Sequence, residues 1–381
     1  MKRTLFVFGR TPELAFEELR TFFPSASRIA PFVAAVSDEV DAAQWIKRLG
    51  GTVKIAVEAG ENTTLSQEQI VEIIAAKNDK HVTFGISVYG THAPGPGWYR
   101  EVKERLDQVG IAARYVEAKH DDQLSSIVIA RQEVREIIAV AIEGGILLGE
   151  TVAVQEFEEW NDRDRLRPGY DAKRGMLPPK VARMIVNIVT PNIPGKTPTL
   201  LDPFCGVGTV LSEAALVGYA VVGCDIMESS VEKAKKNLHW LEARYPEIET
   251  RYKKVFVGDA THISEELGAN SVDAIATEPF LGDTRMGEKG EPLDPANVKN
   301  TIKGLEKLYI GSLREWHKSL VTGAKVAIAI PAYVTTRGMV SVKNVIDRFA
   351  SLGYTLLTGP IEYSRPQAIV RREFYILQKT N

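Results

Sequence analysis

Leu201-Asp202-Pro203-Phe204-Cys205-Gly206-Val207-Gly208-Thr209 is the stretch on which the fold of this chain turns. A short apolar strand, Thr199–Leu201, precedes it and an amphipathic helix, Val210–Val217, follows. A carboxylate closing the strand and two glycines two residues apart describe a tight loop around a small ligand. Gly206 and Gly208 have no side chain to block close backbone approach, and glycine alone reaches positive φ cheaply. Asp202 stands at the carboxyl end of the strand, where open α/β sheets hold their ligands. A dinucleotide fingerprint needs a third glycine three residues after Gly208, and Leu211 stands there instead. The loop therefore suits a nucleoside without phosphates, of which S-adenosylmethionine is the commonest.

Around this loop the second half of the chain alternates strands with helices. Strand-like runs fall at Thr199–Leu201, Ala220–Cys224, Lys254–Val257, Val272–Ala276, Lys325–Ile330, Tyr354–Thr358 and Glu373–Gln378. The first five are spaced widely enough for crossover helices, which gives a parallel, doubly wound sheet. The last two lack that spacing, so the final strand enters antiparallel. Pro178–Val189 is a helix ahead of the first strand, with Pro178 and Pro179 in its first turn. The fold class is α/β: a Rossmann-like, seven-stranded methyltransferase sheet with six parallel strands and one antiparallel.

The carboxylates repeat at the strand ends. Asp225 ends the second strand, at the spacing from the glycine loop that suits a residue accepting both ribose hydroxyls. Asp259 ends the third and can accept the adenine amine while Ala260 offers its backbone N–H. Any one of these would be weak evidence; three in consecutive βα units form a specific pattern.

The first half carries no catalytic constellation. Leu5–Phe8, Thr52–Ala56, Val82–Val88, Ala113–Val116 and a hairpin of Ile137–Ala141 with Ile146–Val154 read as strands. Pro12–Phe23, Gln67–Lys77 and Trp98–Val109 read as helices, and a polar junction at Ala59–Thr64 separates two small α+β modules. Four segments follow: an N-terminal module over 1–60, a second over 61–155, a linker over 156–175 and the catalytic domain over 176–381. The stretch Trp160–Arg183 is dense in charge, with Arg163, Arg165, Arg167, Lys173, Arg174, Lys180 and Arg183 against Asp162, Asp164 and Asp171. Beside a nucleoside pocket, that surplus is a candidate phosphate-contacting surface.

Composition narrows the class without naming it. A net charge of −2 does not by itself advertise nucleic-acid binding, and 44% hydrophobic with 25% charged residues is ordinary for a soluble protein. No apolar run is long enough for a membrane span or a signal peptide. Cys205 and Cys224 are the two cysteines, which argues for a reducing cytoplasm rather than a disulfide framework. The six histidines have no ligand spacing, so no metal site is expected.

Several motifs together resemble the THUMP-associated tRNA guanosine N2-methyltransferases: Asp202-Pro-Phe-Cys-Gly-Val-Gly-Thr209, Arg163-Asp164 with Arg167-Pro168, Gly175-Met-Leu-Pro-Pro-Lys180, Arg365-Pro366 and Arg372-Glu-Phe-Tyr-Ile376. The resemblance is sharp over residues 150–381. Over 1–150 it is one of layout, a ferredoxin-like module followed by a THUMP-like module that binds the tRNA acceptor end. It implies an S-adenosylmethionine site at Leu177, Asp202, Phe204, Gly206, Gly208, Thr209, Asp225, Ile226, Asp259 and Ala260. It also implies RNA contacts at Arg163, Arg167, Lys180 and Arg365, and a monomer acting on tRNA. The reacting loop of such enzymes usually reads Asp/Asn/Ser-Pro-Pro-Tyr/Phe after the fourth strand. Here it reads Thr277-Glu278-Pro279-Phe280, so Thr277 replaces the acceptor side chain and Glu278 the first proline. The expectation is an amine held by Thr277, Glu278 and the Pro279 carbonyl, with Phe280 stacked on the flipped base. Two alternatives stand beside it: a DNA adenine or cytosine amino-methyltransferase, and a non-catalytic RNA-binding protein that keeps the fold.

Overall fold

The structure, a computed structural model, describes residues 2–91, 94–118, 122–170, 176–191, 193, 195–282, 291–364 and 367–380. The chain divides into two compact units, Met1–Trp160 and Asn161–Asn381.

The first unit is built on eight strands: β1 (Thr4–Phe8), β2 (Ser27–Ala30), β3 (Val33–Val36), β4 (Thr52–Asn62), β5 (His81–Tyr89), β6 (Ala112–Tyr115), β7 (Arg135–Ile142) and β8 (Gly145–Val154). They form one sheet in the order β2-β3-β1-β4-β8-β7-β5-β6. β5 runs parallel to β6 and β7, and the remaining pairs are antiparallel. The sequence reading places a module boundary at residue 60, but β4 continues through it and bonds β1 on one side and β8 on the other. The polar residues that resemble a junction are the far end of that strand, where Arg3 pairs with Glu58 at 3.0 Å and also with Glu61. The interior also holds charge. Lys54 Nζ meets Glu136 Oε1 at 2.5 Å with both side chains buried, and Thr151 and Ser87 donate to the same carboxylate. A buried carboxylate without such partners would be costly.

The second unit contains β9 (Thr199–Asp202), β10 (Ala220–Asp225), β11 (Tyr252–Val257), β12 (Val272–Thr277), β13 (Leu320–Thr335), β14 (Gly338–Ser341), β15 (Tyr354–Tyr363) and β16 (Val370–Lys379). Seven of them order as β11-β10-β9-β12-β13-β16-β15, and β14 folds back on the end of β13. β16 runs antiparallel to both its neighbours, and the other ladder pairs along the path are parallel. This is the seven-stranded arrangement expected from the sequence. The central strands are buried along their length, as strands covered on both faces must be. Leu201, Val222, Ile275, Val326 and Ile328 share one core with Tyr309, Leu313 and Trp316 of the long helix Pro295–Ser319. That helix begins where the Asp294 side chain accepts the Ala296 N–H at 2.8 Å. Among the described residues no helix is long and apolar enough to cross a membrane.

The switch in strand order between β9 and β12 brings the carboxyl ends of neighbouring parallel strands together, which is where doubly wound sheets bind ligands.

Candidate active site

The loop after β9 is a rigid cradle. Cys205 N–H donates to the Cys224 carbonyl at 2.8 Å and Gly208 N–H to the Cys205 carbonyl at 2.7 Å. Gly206 and Gly208 take φ of +51° and +84°, the region that disfavours side chains. A Cβ on Gly208 would sit 3.2 Å from Ala234 Cβ, whereas on Gly206 it would meet only the Phe204 carbonyl at 4.0 Å. The second glycine is thus required by packing, and the first leaves its surface open. Asp225 closes the loop from β10: one oxygen accepts Gly206 N–H at 3.0 Å and the other Met227 N–H at 2.9 Å.

Beyond Asp225 stand large apolar side chains in water, Ile226 at 72% exposure with Met227 and Val257 also exposed. Asp259 lies after β11, its carboxyl held below the usual range by the Thr261 N–H at 2.8 Å and hydroxyl at 2.7 Å. Apolar flanks with a few placed acceptors are the composition of a small-molecule site. Leu177, Thr209 and Ala260 are buried, and Phe204 stacks edge-on to Trp316 at 6.2 Å.

Asp202 is buried at the end of β9. Its Oδ1 accepts the Thr277 hydroxyl at 2.7 Å and the Phe204 N–H at 3.2 Å. Burial pushes its carboxyl up to about 7; the Asp225 and Glu278 charges add to the rise, and the two hydrogen bonds oppose it. The Thr277 assignment therefore changes. The sequence reading has its hydroxyl accept from a substrate amine, but Thr277 is fully buried, and its hydroxyl proton goes to Asp202. The reason is topological: β12 pairs with β9, so the last residues of the two strands meet.

The rest of the loop after β12 is pinned from three elements. Tyr309 of the long helix donates to the Phe280 carbonyl at 2.7 Å, and Tyr333 of β13 to the Leu281 carbonyl at 2.6 Å. Gly282, at φ +84°, lies so close to Tyr333 that a Cβ would come within 2.4 Å of its hydroxyl oxygen. Glu278 pairs with Arg372 of β16. Burial raises the Glu278 carboxyl, and Arg372 opposes that rise. Pro279 is buried, while the Phe280 ring is 61% exposed, facing solvent with its backbone fixed. The loop thus presents a carboxylate and an aromatic face from a held frame. Sequence reasoning missed the two tyrosine anchors and the Arg372 pairing, because each acts from an element distant in sequence.

The expected RNA contacts are corrected. Arg163 and Arg167 are buried rather than on a surface. Arg163 Nε lies 2.9 Å from Glu213 Oε1 and Arg183 Nη2 2.6 Å from Oε2 of the same buried carboxylate. Arg167 donates to the Thr209 hydroxyl at 2.6 Å. Gly169 N–H bonds Asn237, and a Cβ at Gly169 would strike that side chain and the Lys233 carbonyl at 2.9 Å. Residues 162–169 of the charged run are therefore a strap packed on the helices Thr209–Leu216 and Glu228–Arg244, not a linker. Lys180 is partly buried, and desolvation with the Arg163 charge lowers it to about 8. Arg365 lies outside the described residues, as do Asp171, Lys173 and Arg174.

Comparison with known proteins agrees with this geometry. Residues 168–335 match the model of the RMKL-like methyltransferase domain. A DNA methylase model matches residues 66–236, a span that crosses the two units and stops before β12 and the reacting loop. A tRNA (guanine(10)-N2)-dimethyltransferase of Pyrococcus abyssi is 30% identical over 229 residues, 60% of this chain and 57% of that protein. The enzyme of the same name from Methanothermobacter thermautotrophicus is 30% identical over 58% of each chain. The matched region thus spans less than two thirds of these relatives. Among solved structures, TrmN from Thermus thermophilus shares the fold over 99% of both chains, with a TM-score of 0.54 at 18% identity. Over residues 168–335, the stretch that holds the glycine cradle and the pinned loop, this chain is thus similar to the RMKL-like methyltransferase domain.

Proposed function

We propose that this protein transfers a methyl group from S-adenosylmethionine to the exocyclic N2 of a guanosine in tRNA, in the cytoplasm. The observation that carries the reading is the joining of two half-sites: the Asp202–Thr277 hydrogen bond of 2.7 Å ties the glycine cradle to the loop bearing Glu278 and Phe280. The names of the two archaeal relatives supply the base and the atom.

The residues present fit the donor. Gly206 leaves open space where a side chain would stand, Asp225 and Asp259 offer carboxylate oxygens, and Ile226 offers an exposed apolar flank. Asp225 would accept the ribose hydroxyls, Asp259 and Ala260 would hold the adenine edge, and Asp202 with Gly206 would face the amino-acid portion. When bound, S-adenosylmethionine supplies a methyl group on a positively charged sulfur.

The chain's own contribution is positioning and proton handling. Phe280 stacks on the extruded base, since its ring is exposed while its carbonyl is fixed. Glu278 accepts a hydrogen bond from the amine, as does the Pro279 carbonyl, and together they aim the nitrogen lone pair. The Glu278 carboxylate then takes the proton the amine sheds, a role suited to a buried carboxylate with raised proton affinity. The first unit is the module that would bind the tRNA acceptor end.

Labelled-methyl incorporation into an unmodified tRNA transcript and into duplex DNA, followed by nucleoside mass spectrometry, tests the reading. N2-methylated guanosine from the transcript is the expected product. Label in adenine or cytosine of DNA, or none in either substrate, would overturn it.

A further inference from the structure

Arg372 reaches the site because β16 runs antiparallel to both its neighbours. β16 enters the sheet at the carboxyl ends of its neighbours, so its first residues lie where the parallel strands finish. Arg372 pairs in register with Pro331 of β13 on one side and Tyr363 of β15 on the other. From there its Nε donates to Glu278 Oε1, and its guanidinium carbon lies 5.9 Å from the Tyr363 ring centroid. The guanidinium and the carboxylate are both mostly buried, with side-chain exposures of 19% and 15%. Tyr309 and Tyr333 grip only main-chain carbonyls of the loop. A glutamate side chain has three free torsions, and the two tyrosines fix none of them. The Arg372 bond does.

We propose that Arg372 is a positioning residue: it holds the Glu278 carboxylate at the orientation in which that group receives the substrate amine. The inference rests on the methyl-transfer reading above. Arg372 touches neither donor nor base in this account; it acts through Glu278. A guanidinium is suited to the task, being permanently charged and able to fix a carboxylate in direction as well as distance. Misplacing a reacting group by about 1 Å can cost on the order of a hundredfold in rate.

The test is a double-mutant cycle in the full chain, reading single-turnover methyl transfer to the tRNA transcript, S-adenosylmethionine affinity and the pH profile. Arg372→Ala is expected to lower the transfer rate roughly tenfold to a hundredfold with donor affinity unchanged. Its acid limb moves to higher pH, because Glu278 loses the charge that opposes its protonation. Arg372→Lys keeps the charge and so keeps the limb near its wild-type position, while restoring only part of the rate. In a Glu278→Gln background, Arg372→Ala should change the rate less than about twofold, the coupling that contact between two residues implies. Equal losses in both backgrounds, or a fall in donor affinity and thermal stability that accounts for the rate, would show that Arg372 merely supports β16 and would overturn the proposal. No loss in the wild-type background would do the same. If the wild-type protein itself transfers no methyl group, the functional reading falls and this inference with it.

Discussion

The Thr277 hydroxyl donates to Asp202 Oδ1 across 2.7 Å, a side-chain bond between the last residues of two adjacent parallel strands. It ties the glycine loop after β9 to the loop after β12 at one edge of the sheet.

Asp202 gives that edge a pH dependence. Its carboxyl titrates near 7 in the folded chain and at about 4 when unfolded. Between those values the folded state holds a proton that the unfolded state has released, so this group's contribution to stability falls as pH rises from about 4 to 7. Asp202→Asn is expected to remove the slope and to stabilise the protein at pH 8 relative to pH 5, by on the order of 2–4 kcal/mol. Urea unfolding at both pH values checks it. A wild-type slope that survives in the variant would assign the effect to another group.

The two loop glycines should separate stability from binding. Gly208→Ala meets both positive φ and Ala234, and is expected to destabilise by about 1–3 kcal/mol. Gly206→Ala faces open space, so its stability loss should be smaller while donor affinity falls more steeply. Thermal melts with and without S-adenosylmethionine distinguish the two; equal behaviour would contradict the assignment of the open side.

Phe280→Ala should leave folding untouched, since the ring is mostly in solvent. Loss of base stacking is expected to weaken the RNA complex by ~1–3 kcal/mol, with donor affinity unchanged. Fluorescence titration with the transcript measures it. A change in melting temperature without a change in RNA affinity would return Phe280 to the structural residues.

Arg163→Ala tests the correction to the charged strap. It leaves the buried Glu213 with one guanidinium instead of two, and a cost of about 3 kcal/mol is expected. The salt dependence of RNA binding should not change, because no phosphate contact is lost. A shallower salt slope with undiminished stability would restore the surface reading.

What was legible in the sequence follows from which signals are local. Asp202, Asp225 and Asp259 could be placed because strand-end carboxylates and glycine spacing are short-range patterns. The antiparallel last strand was legible from the short gap before it. The continuous first sheet was not, because the polar end of β4 has the composition of a linker and its pairing to β8 joins residues far apart in sequence. The charged strap failed for a related reason. Arginines on a charged stretch look solvated until Glu213, distant in sequence, is found between two of them. Thr277 and Arg372 belong to the same class, since their roles depend on strand neighbours that only the sheet order supplies.

Calorimetric titration of the purified chain with S-adenosylmethionine reaches the central claim most directly. Saturable one-to-one binding that Asp225→Ala abolishes, in a variant that still folds, is the predicted result. Absence of binding by the wild-type chain, or affinity indifferent to Asp225, would contradict it.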